Sequence, residues 1–242
     1  KGLQGNIYPF LKRAFIKAIR QIVTEVDVYM AIKAIENASR AWGTAGTAPF
    51  GTLNDMTDFA GLKQIFRENG HDPANLDLRL TLNNGAMFNI EGKMANIWKA
   101  NEFGSDELSR WGYITEIEGF RMGTMPNIPQ HVKGTGAGYV TSGATAIDVE
   151  DIALVTGAGT VLAGDVVTFA ADPNRKYVVN KGIAAPGTIT IGEPGARMVI
   201  PTGNAMTIGN SYNPNVAYDA DAMLFLCRPP AVPAGGDSAV DS

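Results

Sequence analysis

Apolar side chains recur every three or four positions from Leu11 through Phe15, Ala18, Ile22, Val26, Tyr29, Ile32 and Ile35. Lys12, Lys17, Arg20, Glu25, Lys33, Glu36 and Arg40 fall on other faces. That spacing predicts one long helix over residues 10–41, opened by Pro9 in a turn that tolerates it and stopped at Gly43. About 32 residues at 1.5 Å each span roughly 48 Å, long for a globular helix. Such a helix is expected to cross a domain or an interface, with its stripe packed on a core. Residues 44–52, TAGTAPFGT, cannot continue it and read as a loop. A second helix is predicted at about 57–69, with Phe59, Leu62, Ile65 and Phe66 on one face, Asn54 or Asp55 as cap and Gly70 as stop. Leu76, Leu78, Leu80 and Leu82 alternate with Asp77, Arg79 and Thr81, the signature of a half-buried strand. Asn83-Asn84-Gly85 then turns the chain into a short helix over 86–98. Residues 112–122 read as a strand pair or one bent strand, and Pro126 and Pro129 close the section.

From about Thr135 the texture changes. Segments 146–149, 152–155, 165–170, 176–180, 187–191 and 197–200 are short, rich in Val, Ile and Thr, and separated by glycine-bearing turns. This spacing predicts a small antiparallel barrel or sandwich. Asp172-Pro173-Asn174 is a strong turn signal, which would set Arg175 and Lys176 near a loop tip. Residues 216–228 form a longer mixed segment ending in a strand-like MLFLCR. The tail, 229–242, is rich in Pro, Gly, Asp and Ser and is expected to be loosely held.

Composition narrows the function classes. Apolar residues make up 45% and charged residues 18% of 242, so the chain can bury a core and is not a disordered one. The formal charge of −4 argues against a general nucleic-acid binder, which needs clustered cations. The charge is uneven: residues 1–40 carry seven basic and three acidic side chains, residues 141–242 five and ten. A single cysteine, Cys227, excludes an intrachain disulfide and reads as a small core residue. No apolar run approaches the ~18 residues of a membrane span. The chain begins at Lys1 and runs quickly into a helix, so an upstream segment is expected to be missing.

Catalytic constellations are sparse. Gly134-Thr-Gly136-Ala-Gly138 has Tyr139 where a dinucleotide fingerprint needs its third glycine, and Gly157-Ala-Gly159 has Leu162 there. Both read as turns. Gly209-Asn-Ser211-Tyr-Asn213 lacks the second glycine of a nucleophile elbow. His71 and His131 sit in loop contexts and read as surface histidines. Glu116 and Glu118 share one side of a strand, where a solvated face explains them better than acid–base chemistry. No Cys/His spacing suits zinc. No catalytic residue, cofactor-binding residue or metal ligand is identified.

Several stretches, taken in order, resemble a known family. They are VDVYMAIKAIENASRA at 26–41, WGTAGTAPFGT at 42–52, FAGLKQIFRENGHDPANLDLRLTLNNGA at 59–86, IEGFRMGTMPNIPQHVKGT at 117–135, LAGDVVTFA at 162–170 and NPNVAYDADAMLFLCRPPAVPAGG at 213–236. The succession resembles the major capsid (coat) proteins of tailed bacteriophages, with the HK-ninety-seven fold, in the P-twenty-two-like branch that carries an inserted β-barrel. The resemblance implies an α+β phage capsid fold with a long spine helix and an axial domain, plus a small antiparallel β-barrel. It divides the chain into a spine-helix region at 1–43, a first axial part at 44–135, an inserted β-rich domain at 136–212, and a return to the axial domain with the tail at 213–242. The N-terminal arm and extended loop that precede the spine helix in that family have no counterpart here.

The function the resemblance implies is self-assembly without catalysis. Hexamers and pentamers would form an icosahedral shell in the virion, enclosing double-stranded DNA without sequence-specific binding. Scaffolding and portal proteins would be the partners, with no membrane and no cofactor. A loop of the inserted domain bridges neighbouring capsomers in that family. Arg175, Lys176 and Lys181, three of the five cations of the acidic half, are therefore candidate intersubunit contacts, against the alternative of a solvated hairpin. The competing function is a carbohydrate- or surface-binding β-rich module, for which Tyr139, Phe169, Tyr177 and Tyr212 give no clear stacking platform.

Overall fold

In a computed structural model, which describes residues 7–93 and 116–226, the first element is a 30-residue helix, α1 (Ile7–Glu36). It ends five residues earlier than its periodicity predicts. Asn37 turns its side-chain amide back onto the Lys33 carbonyl at 2.8 Å, and its backbone N–H bonds the same oxygen. The next residues are captured by a sheet instead. Strand β1 (Arg40–Ala41) pairs antiparallel with Tyr177 and Lys176 of a later strand. Gly192 lets this crossing lie close, since a Cβ there would stand 2.3 Å from the Ala38 carbonyl oxygen. Tertiary pairing thus overrides helical periodicity.

The predicted stripe also faces the other way. Of its eight residues only Ile35 is buried, while Phe15 is 67% and Ile22 62% exposed. The side of α1 that meets the body carries Thr24, Val28, Ala31 and Ile35 instead, all buried or half-buried. At 100° per residue this side lies about half a turn from the stripe.

One core lies between α2 (Thr57–Glu68), α3 (Asn84–Lys93) and a four-stranded sheet. That sheet runs in the order β11 (Val216–Asp219), β2 (Leu78–Leu82), β4 (Phe120–Thr124), β3 (Glu116–Ile117). Leu78, Leu80 and Leu82 point into it, as alternation predicts, against Phe59 and Phe120, whose ring centroids are 6.1 Å apart. Helix α2 ends in a Schellman turn: His71 N–H reaches the Phe66 carbonyl and Gly70 N–H the Arg67 carbonyl, with Gly70 at φ +88°. Its start differs from expectation, because Asp55 accepts from the Thr57 N–H, while the cap position itself is Met56. Asn83 opens α3 rather than a free turn, its Oδ1 accepting the Ala86 N–H at 2.9 Å. The predicted strand pair is the β3–β4 hairpin, turned by Glu118 and Gly119, both at positive φ. Strands β2 and β4 are parallel, so the chain between them makes a crossover that includes α3. The rest of the predicted 86–98 helix, and residues 112–115, lie outside the described residues.

The second core fills a nearly closed antiparallel barrel. Its strand order is β10 (Met206–Ile208), β7 (Val166–Phe169), β8 (Asp172–Lys181), β9 (Gly187–Ile191), β6 (Asp151–Val155), β5 (Val140–Thr141). Closure comes from the Met206 N–H to the Tyr139 carbonyl and the Thr141 N–H to the Asn204 carbonyl, each 3.0 Å. Ile152, Leu154, Phe169, Tyr177, Val179 and Ile189 fill the interior. The chain is therefore α+β, with three α-helices among the described residues. Of the predicted segments, 187–191 is reproduced as β9. Segments 146–149 and 197–200 instead form a loop ribbon joined at Thr145 and Ile200, and β5 and β10 escaped the sequence pattern because they are only two and three residues long. Residues 223–226 are not a strand. Leu224 and Leu226 are exposed there, and Cys227 lies outside the described residues.

The barrel begins before the expected boundary at 136. Asp165, buried at the barrel base, accepts the Gly134 N–H at 3.1 Å and the Leu162 N–H at 2.8 Å, and lies 2.8 Å from His131 Nε2. A fragment of residues 131–212 is accordingly expected to melt cooperatively on its own. The shorter 136–212 should be weaker by about 2 kcal/mol or more, because a buried carboxylate loses two partners. Urea unfolding of both fragments measures this; equal midpoints would show that the 131–135 segment is not part of the unit.

Candidate functional site

The two cores meet at a carboxylate. Glu68, in the last turn of α2, receives Arg40 Nη1 at 2.6 Å and Arg175 Nε at 3.2 Å on one oxygen, and Gln64 Nε2 at 2.8 Å on the other. Arg40 comes from β1, and its side chain is only 3% exposed. Its second nitrogen bonds Asn69 Oδ1 at 2.9 Å. Arg175 comes from β8 and also contacts Asp172 at 3.4 Å. Asp172 is buried and accepts the Tyr177 hydroxyl at 2.7 Å, while that hydroxyl accepts the Arg197 N–H at 3.0 Å. Arg197 closes the ring by donating to the Glu68 carbonyl at 2.8 Å and to Asp148 at 2.6 Å. Three arginines from the barrel side thus grip the C-terminal end of α2, where partial negative charge on the last carbonyls favours cations.

Burial would raise the Glu68 carboxyl, but hydrogen bonds from Gln64, Arg40 and Arg175 outweigh it and hold the pKa at about 2. The Tyr177 phenol is pushed up to about 12 by burial, and Asp172 beside it acts in the same direction. Burial likewise raises the Tyr212 phenol, whose hydroxyl donates to the Gly164 carbonyl at 2.7 Å.

A second joint marks where the chain enters and leaves the barrel. His131 and Tyr212 exchange backbone hydrogen bonds of 2.9 and 3.0 Å, and their rings lie 5.2 Å apart. His131 is therefore not a surface histidine; its ring is held between Asp165, Tyr212 and Gly164. His71 is exposed, as expected. A third contact seats Trp42 on Gly61 of α2, where a Cβ would stand 2.1 Å from the indole. That contact explains a glycine in mid-helix, which otherwise costs about 1 kcal/mol.

The candidate intersubunit cations are divided by the structure. Asp172-Pro173-Asn174 is not a hairpin tip; the β7–β8 turn is at Ala170-Ala171. The turn chemistry is expressed as a bulge instead, the register against β7 slipping between the Val167–Tyr177 and Phe169–Asp172 pairs. Arg175 and Lys176 are half-buried as a result, the first on Glu68 and the second on the Gly43 carbonyl. Lys181, at the far end of β8, is exposed.

No reactive constellation emerges among the described residues. Glu116 is exposed on β3 and Glu118 pairs with Lys63 at 2.7 Å. Gly134 and Gly136 are not in turns but in an irregular segment packed against Thr160, whose carbonyl accepts the Gly136 N–H at 2.7 Å. Among the described residues, no group of three or more His, Cys, Asp or Glu is placed to hold a metal ion, and no helix is long and apolar enough to cross a membrane. An open cleft of about 1760 Å³ lies between the cores, but Trp42, Asp58 and Asn89 in its wall bond to one another or to backbone. No sequence signal joined the residues of the charged joint to one another. Arg40 and Glu68 are 28 positions apart and Arg175 is 107 from Glu68, with no local pattern linking them.

No protein-family profile matches the chain, and no curated protein matches it in sequence. A solved structure from Mycobacterium phage Che8 is similar over 80% of this chain and 61% of that one, at 17% identity and a TM-score of 0.39.

The acid limb of stability is expected to follow Glu68. A carboxyl lowered from 4.5 to about 2 contributes stability that is complete above its unfolded pKa and is lost as pH falls through the folded one. Glu68→Gln should lower the urea midpoint at pH 7 and make the loss of stability between pH 4.5 and 2 shallower than in the parent. A parallel pH profile for the two proteins would contradict the assignment.

Proposed function

We propose that this chain is a structural assembly subunit, the major capsid protein of a tailed bacteriophage, with the helix α1 as spine, the first core as axial domain and the barrel as an insertion. One observation carries the reading: α1 turns a long apolar stripe away from the body of its own chain, with Leu11, Phe15, Ile22 and Tyr29 exposed. Exposed apolar patches of that extent mark interaction surfaces. The order of sequence stretches that resembles the phage coat proteins supplies the kind of assembly: hexamers and pentamers of an icosahedral shell around double-stranded DNA, built with scaffolding and portal proteins and without catalysis. The net charge of −4 suits a shell that must not trap its DNA by phosphate contacts. Lys181 remains a candidate for contact between subunits through the barrel, whereas Arg175 and Lys176 are engaged within the chain.

The competing carbohydrate- or surface-binding reading loses support from the barrel's aromatics. Tyr139, Phe169 and Tyr177 are buried and Tyr212 is half-buried, so they offer no exposed stacking face.

Analytical sedimentation with negative-stain microscopy tests the proposal. Closed particles of megadalton mass are expected when the chain is produced with its scaffold or concentrated in its absence. A protein that remains a small species under both conditions contradicts it.

A further inference from the structure

The chain contains two Asn-Gly pairs, Asn69-Gly70 and Asn84-Gly85. In such a pair the glycine nitrogen can reach the preceding side-chain amide, because glycine has no Cβ to block the approach. Reaction needs a side chain free to turn back on its own backbone, a free N–H on the glycine, and a main chain able to leave its regular conformation. The two pairs differ on all three counts.

Asn69 caps the C-terminus of α2 and is held in place. Its Oδ1 accepts Arg40 Nη2 at 2.9 Å, its Nδ2 donates to Ser39 Oγ at 2.9 Å, and the Gly70 N–H donates to the Arg67 carbonyl at 3.0 Å. These bonds belong to the joint around Glu68 and to the turn that ends α2, so reaction at Asn69 would require that region to open first.

Asn84 is the first residue of α3, and both it and Gly85 are exposed. Neither the Asn84 side chain nor the Gly85 N–H has a hydrogen-bond partner among the described residues. The free N–H follows from its position, since the first N–H groups of a helix have no carbonyl one turn earlier to bond. The next two are satisfied: Asn83 Oδ1 takes the Ala86 N–H at 2.9 Å, and the Asn83 carbonyl takes the Met87 N–H at 3.1 Å. Helix ends fray, so Asn84 can leave helical geometry while the buried Ala86 and Ile90 stay in the core.

We infer that Asn84 is a site of spontaneous self-modification, in which the Gly85 nitrogen displaces the Asn84 amide. The Gly85 nitrogen attacks Asn84 Cγ and a new C–N bond closes a succinimide ring. The side-chain nitrogen leaves as ammonia, carrying the proton from Gly85. Water then opens the ring at one of its two carbonyls. Opening at Cγ leaves aspartate. Opening at the main-chain carbonyl leaves isoaspartate, whose backbone runs through the side chain and is one methylene longer. Either way a neutral amide becomes a carboxylate.

The two products act differently on the fold. Aspartate places a negative charge in the first turn of α3, where the helix dipole favours it. Isoaspartate lengthens the chain between Asn83 and Ala86. That corner also pins the segment leading into β11: the Asn83 N–H donates to Asn215 Oδ1 at 2.9 Å, and its Nδ2 to the Asn213 carbonyl at 3.1 Å. The isoaspartyl form is therefore the less stable. None of this requires the chain to assemble.

Incubation of the folded full chain in mildly alkaline buffer, followed by peptide mapping with mass spectrometry, tests the site. Asn84 should convert roughly tenfold or more faster than Asn69, which must first lose hydrogen bonds together worth that factor. In urea the two rates should converge, because both pairs then lie in free chain. Asn84→Gln, a change at an exposed position, should remove the fast conversion. Equal rates in the folded chain, earlier conversion of Asn69, or fast conversion that persists in Asn84→Gln would overturn the inference. So would a folded chain that reacts at neither pair while the unfolded chain reacts at both, since α3 would then protect Asn84. Aged protein separated by ion exchange tests the consequence. The aspartyl form should melt no lower than the parent and the isoaspartyl form below it. An isoaspartyl form that melts with the parent would overturn the role given to the Asn83 corner.

Discussion

The structure depends on one carboxylate shared between two cores. Glu68 terminates α2 on the helical core, and the groups that hold it, Arg40 and Arg175, stand on β1 and β8 of the barrel side. Each arginine is only worth having in this geometry. An isolated buried guanidinium is costly, and a surface pair contributes ~0–1 kcal/mol, whereas a carboxylate receiving two guanidiniums and an amide forms a network whose parts support one another. Arg197 adds a backbone contact to the same helix end, so the joint resists rotation as well as separation.

That joint determines how α1 is presented. The helix ends where β1 is drawn onto the edge of β8, in the stretch of β8 next to that covered by β9. Arg40 is itself in β1, so the residue that anchors the joint lies in the strand that follows the helix. The last turns of α1 are therefore tied to the barrel, through contact with β8 and through the pairing of β1, and Arg40 carries that tie on to Glu68. Its first turns have no such tie among the described residues, and their apolar side chains are exposed. A body with a projecting amphipathic helix is the form that the proposed assembly subunit would need.

Much of the fold was legible as periodicity. The Leu78–Leu82 alternation, the α2 stripe with Gly70 as stop, and β9 follow from side-chain spacing and glycine conformation, which are local properties. Other features were not. The end of α1 depends on an edge pairing with Tyr177 and Lys176, more than a hundred residues away. The direction of its stripe depends on which face the body covers, and periodicity alone says only that a stripe exists. The Asp172-Pro173-Asn174 signal reads as a turn in the sequence but forms the bulged start of β8, because Ala170-Ala171 makes the turn between β7 and β8. The charged joint was illegible for the same reason as the strand pairings: its members meet only after both cores have formed. His131 was misread because Asp165, its partner, is 34 residues downstream in an unremarkable Gly-Asp pair.

The central claim is that Glu68 couples the two cores through its arginines, and a double-mutant cycle on Glu68→Gln and Arg175→Met measures that coupling directly. Unfolding free energies of the parent, the two single variants and the double variant, taken at pH 7, give the interaction term. The account predicts a coupling of about 1 kcal/mol or more, within the range seen for residues of one hydrogen-bonded network, with both cores unfolding in a single transition in the parent. Additive losses, with no coupling term, would mean that the two side chains are neighbours without being partners and that the cores are held together by something else.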